Sequence, residues 1–123
     1  MARILVVEDD EWSRRIVVEL LEMRGHEVVE ARDAKTARAG LLRAPDLVLL
    51  DIQFPGGSGV EFLGEVRASS TLARLPVIAL TASAMRGDRE RFLRQGFTAY
   101  LSKPIDVKSF GSTVESYLGG GQG

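Results

Sequence analysis

The sequence predicts an α/β domain built on a five-stranded parallel sheet, and three observations predict it. Strand-like and helix-like patterns alternate five times along the chain. The apolar runs Ile4-Leu5-Val6-Val7, Leu47-Val48-Leu49-Leu50 and Val77-Ile78-Ala79-Leu80 are continuous, as strands covered on both faces are. Polar groups stand where such runs stop: Glu8-Asp9-Asp10, Asp51, Thr81-Ala82, and Ser102-Lys103-Pro104 after Tyr100-Leu101. In an open parallel sheet, ligands bind beyond the carboxyl ends of the strands. Four separate stretches thus deliver acids, a hydroxyl and an ammonium to one crevice. That set suits a divalent cation and a phosphoryl group.

The elements follow in order. Residues 3–7 read as a buried strand. Residues 11–24 read as a helix with Ile16, Val17, Leu20, Leu21 and Met23 on its apolar side, stopped by Gly25. Glu27 to Ala31 forms a weaker strand, and Asp33 caps a helix over 34–43 with Ala37, Leu41 and Leu42 inward. Pro45 and Asp46 open the strand 47–50. The loop Gln53-Phe54-Pro55-Gly56-Gly57 leads to Ser58, which caps a helix over 59–69. After the connector Thr71 to Leu75 come the strand 77–80, a helix over about 86–95 ended by Gly96, the strand 98–101 and a last helix over roughly 107–118. Crossovers between these strands are right-handed, with helices on both faces.

The 123 residues make one domain, taken as 1–118, followed by a Gly-rich tail, 119–123, with little to pack. Sixteen basic and 17 acidic residues nearly cancel, so no basic excess points to nucleic acid. The absence of cysteine rules out disulfides and thiolate metal sites, and fits a cytoplasmic location. No apolar run approaches the roughly 20 residues of a membrane helix.

The stretches ILVVEDD, LVLLDIQFPGGSG, VIALTA and YLSKPID, in this order, resemble the receiver domain of bacterial two-component response regulators, the CheY-like superfamily. The resemblance spans residues 3 to about 118. Within the family, SAMRGDRERF and AYLSKPI look most like stand-alone receivers of the DivK type and receivers attached to hybrid kinases. The resemblance implies a flavodoxin-like sheet in the order 2-1-3-4-5 with five helices. It also implies Mg²⁺-dependent phosphotransfer from a histidine kinase or a histidine phosphotransfer protein to one aspartate, and a downstream protein target.

Residue by residue, the resemblance makes Asp51 the phosphoacceptor. A carboxylate can attack phosphorus and hold the group as an acyl phosphate. Asp9 matches a direct Mg²⁺ ligand, Glu8 one acting mainly through water, and Gln53 contributes its backbone carbonyl. Asp10 reads as a helix cap rather than a metal ligand. Thr81 matches the switch hydroxyl and Ala82 the small neighbour that leaves room for the phosphoryl group. Lys103 matches the lysine that pairs with phosphate, and in the family the bond to the following proline, here Pro104, is cis. Tyr100 matches the aromatic switch, whose inward rotation follows Thr81 when phosphorylation adds nearly two negative charges. Gln53 and Ser83 occupy the positions that tune the lifetime of the acyl phosphate.

The remaining polar and aromatic residues carry blander expectations. Trp12 is expected to pack partly on the sheet end and to report Mg²⁺ or phosphoryl binding by fluorescence. His26, the single histidine, is expected at the surface. Arg86, Arg89, Arg91 and Arg94, offset by Asp88 and Glu90, read as a solvated helix face ahead of the sharper reading, a docking surface for an acidic partner. Gly57 stands where many receivers carry methionine, and the run Gly56-Gly57-Ser58-Gly59 favours loop mobility.

Three other chemistries on similar sheets fit less well. A haloacid-dehalogenase-type phosphatase needs a second Asp two residues after the first, where Gln53 stands. A P-loop nucleotidase needs a Gly-rich cradle ahead of Lys-Ser/Thr, and a flavin binder needs a phosphate loop where Glu8, Asp9 and Asp10 lie. The expectation is therefore a single-domain phosphorylatable switch, not an enzyme acting on an outside substrate, monomeric unless phosphorylation drives dimerisation. Met1 and the glycine-rich finish favour a stand-alone protein over a receiver cut from a hybrid kinase or longer regulator.

Overall fold

The structure is a computed structural model that describes residues 2–54, 56–82 and 87–118. Pro55, Ser83, Arg86 and the tail 119–123, each given a reading from the sequence, lie outside the described residues, as do the side chains of Gln53, Phe54 and Arg89.

Five strands form one parallel sheet: β1 (Arg3–Val7), β2 (Glu27–Ala31), β3 (Leu47–Asp51), β4 (Val77–Thr81) and β5 (Ala99–Ser102). Their order is β2-β1-β3-β4-β5, the flavodoxin-like order. Leu5 pairs with Val29 and Val48, Leu49 with Ile78, and Thr81 with Ser102. A separate two-residue antiparallel pair joins Gln53–Phe54 to Gly57–Ser58, so the loop read after β3 contains a short ladder.

The helices are α1 (Glu11–Glu22), α2 (Ala34–Leu41), α3 (Gly59–Ala68), α4 (Asp88–Gln95) and α5 (Phe110–Glu115). Strand pleating sorts them into two layers. Ile4, Val6, Leu47, Leu49, Ile78 and Leu80 face α1 and α5, through Val17, Leu21, Phe110 and Val114. The alternate residues Leu5, Val7, Val48, Leu50, Val77 and Ala79 face α2, α3 and α4, through Ala37, Phe62, Leu63 and Phe92. Truncating one of these fully buried leucines to alanine costs about 2–5 kcal/mol.

Local chemistry sets the boundaries. Asp33 and Thr36 form a reciprocal capping box, and Ser58 accepts the Glu61 amide. Gly96 ends α4 at φ 109°, a left-handed conformation that costs a residue with a Cβ. Each helix is shorter than the sequence suggests. Before α5, the Asp106 carbonyl and carboxylate hold the amides of Lys108, Ser109 and Phe110 in a turn.

Three side chains depart from expectation. Met23 and Leu42 are 82% and 87% exposed, not inward. Each is the C-cap of its helix, where the chain leaves the helical face, and Leu41 packs in place of Leu42. His26 is buried rather than at the surface. Its Nδ1 accepts the Ala2 amide at 3.1 Å, and its Nε2 lies 2.8 Å from Glu115 Oε2. Accepting at Nδ1 leaves Nε2 as the donor, so the ring is satisfied at both ends. Arg24 donates to both oxygens of the same Glu115 at 2.7 Å. This network ties the end of α1, the start of β2 and α5 together at the pole opposite the carboxyl ends of the strands.

Candidate functional site

The carboxyl ends of β1, β3, β4 and β5 converge. Glu8 follows β1 and is 1% exposed, its amide continuing the ladder to the Ala31 carbonyl at 2.9 Å. Ligand oxygens of Glu8, Asp9 and Asp51 all lie within 4.8 Å of one another. Like charges this close repel, so the cluster needs a cation. Lys103 supplies one: its Nζ lies 2.5 Å from Glu8 Oε1 and 3.2 Å from Asp51 Oδ2.

Several contacts aim these groups. The Lys103 amide donates to the Thr81 carbonyl at 2.8 Å, and the Lys103–Pro104 peptide is cis. Asp10 caps α1, as expected: its Oδ2 accepts the Ser13 amide at 2.8 Å. Those bonds from Ser13 hold the Asp10 carboxyl below its usual range. The Asp10 amide in turn donates to Glu8 Oε2 at 3.1 Å. Arg14, which the sequence reading left as a polar helix residue, donates from Nη1 to the Glu8 carbonyl and from Nε to Glu30, both at 2.9 Å. It braces the chain where the acids emerge.

Behind Asp51, the loop is held by its own backbone. The Gly59 amide donates to the Ile52 carbonyl at 2.6 Å. A Cβ at position 59 would come within 2.9 Å of that oxygen, so only glycine permits this approach.

Burial pushes the Glu8 carboxyl up, against the opposing pull of its Lys103 bond. Burial alone would draw the Lys103 ammonium down, but its bond to Glu8 and the charges of Asp51 and Glu8 outweigh that, and it is raised. Lys103 therefore stays charged at neutral pH.

A cleft of about 330 Å³ opens over this cluster, lined by Asp51, Ile52, Thr81, Ala82, Arg91, Phe92 and Lys103. The sequence reading brings Asp51, Thr81, Ala82 and Lys103 here, and all four line it. Arg91, expected on a solvated helix face ahead of a docking surface for an acidic partner, lines the cleft as well; its spacing of three from Asp88 is the available signal. Tyr100 does not line the cleft. It packs against the core beside Phe92, ring centroids 5.6 Å apart. Trp12 is 71% exposed, so it does not pack on the sheet end: it lies in the first turn of α1, outside the apolar stripe of Val17, Val18 and Leu21.

A parallel sheet in this order, with acids, a threonine and a lysine at its carboxyl edge, defines a class of signalling domain, and known proteins bear on it directly. The model of the response regulator receiver domain matches residues 4–115. The polar-differentiation response regulator DivK of Brucella anthropi is 42% identical over 118 residues, covering 94% of this chain and 95% of that protein. The chemotaxis response regulator CheY4 of Vibrio cholerae superposes with a TM-score of 0.88 at 29% identity, over 96% of this chain and 99% of that one. The receiver domain of the Pseudomonas aeruginosa sensor histidine kinase PA1611, solved with a magnesium ion coordinated in its active-site cleft, gives 0.85 at 32% identity, over 96% and 98%. The chain belongs to the response regulator receiver family, a family of two-component signalling proteins.

Proposed function

We propose that this chain is a phosphorylatable switch that accepts a phosphoryl group on Asp51 from a histidine kinase or a histidine phosphotransfer protein. The observation that carries the reading is the meeting of Asp51 with Glu8, Asp9 and the Lys103 ammonium at one strand edge. Three hard carboxylate oxygens fit Mg²⁺, which Glu8, Asp9, Asp51 and the Gln53 backbone carbonyl would hold. The metal, when bound, supplies positive charge to the transferring phosphoryl oxygens.

The residues do the rest. An Asp51 oxygen attacks phosphorus, the P–N bond of the donor phosphohistidine breaks, and the imidazole leaves with the electron pair. Lys103 turns from Glu8 and Asp51 toward the new phosphoryl oxygens. Thr81 donates its hydroxyl to another. Tyr100, packed beside Phe92, follows Thr81 and alters a protein-binding face. Hydrolysis ends the signal: water attacks phosphorus, the bond to Asp51 breaks, and phosphate leaves the carboxylate restored. The chain thus turns over only on itself.

The working unit is residues 1–118, followed by the tail 119–123. It acts in the cytoplasm as a monomer through a downstream protein target, without nucleic acid or membrane. Among the described residues, no helix is long and apolar enough to cross a membrane. Incubation with Mg²⁺ and acetyl phosphate tests the chemistry. The intact mass of wild type gains one phosphoryl group and Asp51→Asn gains none; equal gain in both overturns the assignment.

A further inference from the structure

The cleft over Asp51 contains a second cation that the phosphotransfer reading does not use. Arg91 lines it together with Thr81, Lys103 and Phe92. Its guanidinium carbon lies 5.1 Å from the Phe92 ring centroid, and its Nη2 lies 2.9 Å from Asp88 Oδ1. The two partners are unequally placed. The Arg91 side chain is 55% exposed and that of Asp88 only 6%. Asp88 is also the first residue of α4, where the helix dipole favours a negative charge whether or not an arginine is present.

We propose that Arg91 is a phosphoryl-binding residue that exchanges Asp88 for the phosphoryl group on Asp51. The inference rests on the reading of Asp51 as phosphoacceptor. A phosphoryl group offers Arg91 more charge and more acceptor oxygens than one carboxylate does, and the planar guanidinium suits two of those oxygens at once. Arg91 is long and largely solvated, so reorienting it toward the cleft costs little packing. Asp88, once released, keeps the helix terminus as its compensation. The exchange would pull the first turn of α4 toward the cleft, giving phosphorylation a direct hold on that helix in addition to Thr81 and Tyr100.

Beryllofluoride, a phosphoryl mimic, tests this in the full chain with saturating Mg²⁺. Its affinity is measured by calorimetry, with fluorine NMR showing the bound species. Arg91→Ala is expected to weaken beryllofluoride about tenfold, as loss of one charge-assisted contact does, with Arg91→Lys recovering part of the loss and Mg²⁺ affinity holding steady. Asp88→Asn is expected to tighten it, because Arg91 is then unengaged. Loss of the Asp88 charge by itself favours an anion, so the exchange requires that the gain vanish in the Asp88→Asn, Arg91→Ala double variant. No gain in Asp88→Asn, or a gain that persists in the double variant, overturns the exchange. Equal binding by Arg91→Ala and wild type overturns the inference while leaving the phosphoacceptor intact. Failure of wild type to bind beryllofluoride at all, or equal binding by Asp51→Asn, overturns the underlying reading instead.

Discussion

Lys103 and Glu8 lie 95 positions apart in the chain, yet their side chains meet at 2.5 Å in the cleft. The contact sets two demands against each other. Glu8 is buried and repelled by Asp51, so it needs the ammonium. The same ammonium opposes any other cation that approaches the carboxylates.

Lys103→Ala is therefore expected to bind Mg²⁺ about tenfold more tightly than wild type, the effect of removing one unit charge a few ångströms away in a partly screened site. Calorimetric titration measures it. Weaker binding would mean that Lys103 organises the acids rather than competing for them.

Gly59 makes the loop after Asp51 possible. A Cβ there would lie 2.9 Å from the Ile52 oxygen and 3.0 Å from its Cα, backbone atoms that cannot swing aside. Gly59→Ala should cost about 1–3 kcal/mol in urea unfolding. It should also slow labelling by acetyl phosphate, because Ile52 follows Asp51 directly. Unchanged stability and labelling would show that the loop yields freely.

Glu115 gives the fold an acid-sensitive seam. Its carboxyl is lowered from 4.5 to about 2, first by the Arg24 bond and then by the His26 bond. A depressed carboxyl stabilises the fold above its unfolded value and loses that contribution as pH falls. The loss should run from about pH 4.5 down to about 2. The side chain is 30% exposed, so solvent screening limits the contribution to about 1 kcal/mol. Thermal melts across this window should show a shallower pH slope for Glu115→Gln than for wild type. Parallel slopes would assign the acid sensitivity elsewhere.

Tyr100→Ala separates chemistry from output. Tyr100 packs beside Phe92 but outside the cleft, so the variant should still label on Asp51. Capture of a partner should then no longer distinguish labelled from unlabelled protein. A preserved difference in partner affinity would remove Tyr100 from the switch.

The inner strands were legible in the sequence because burial on both faces demands continuous apolar runs, as at 3–7. The strand 27–31, a half-exposed edge strand carrying Glu27 and Glu30, was the weaker reading and still falls where expected. Caps at Asp10, Asp33 and Ser58 were legible because short polar side chains at helix starts have one evident use. The convergence of Glu8, Asp51, Thr81 and Lys103 followed from topology. His26 was misjudged because its partners, Ala2 and Glu115, are distant in sequence, and a buried histidine looks like an exposed one until both ring nitrogens have partners. Trp12 was misjudged in the opposite sense: a large indole suggested packing, whereas helical phase turns it to water. Arg91 was obscured by company, since it sits in a row of arginines and only the fold selects the one that lines the cleft.

At the far end of α4, Arg67 gathers the carbonyls of Ala73, Leu75 and Gly96, at distances from 2.6 to 3.1 Å. Phe97, just beyond, is sunk in the core. The other end begins at Gly87 and Asp88, whose buried carboxylate pairs with Arg91 beside the cleft. The helix is thus held at its heel through backbone oxygens and at its head through a charged pair. Charge arriving above Asp51 bears on the head alone, because the heel is gripped by an arginine of another helix.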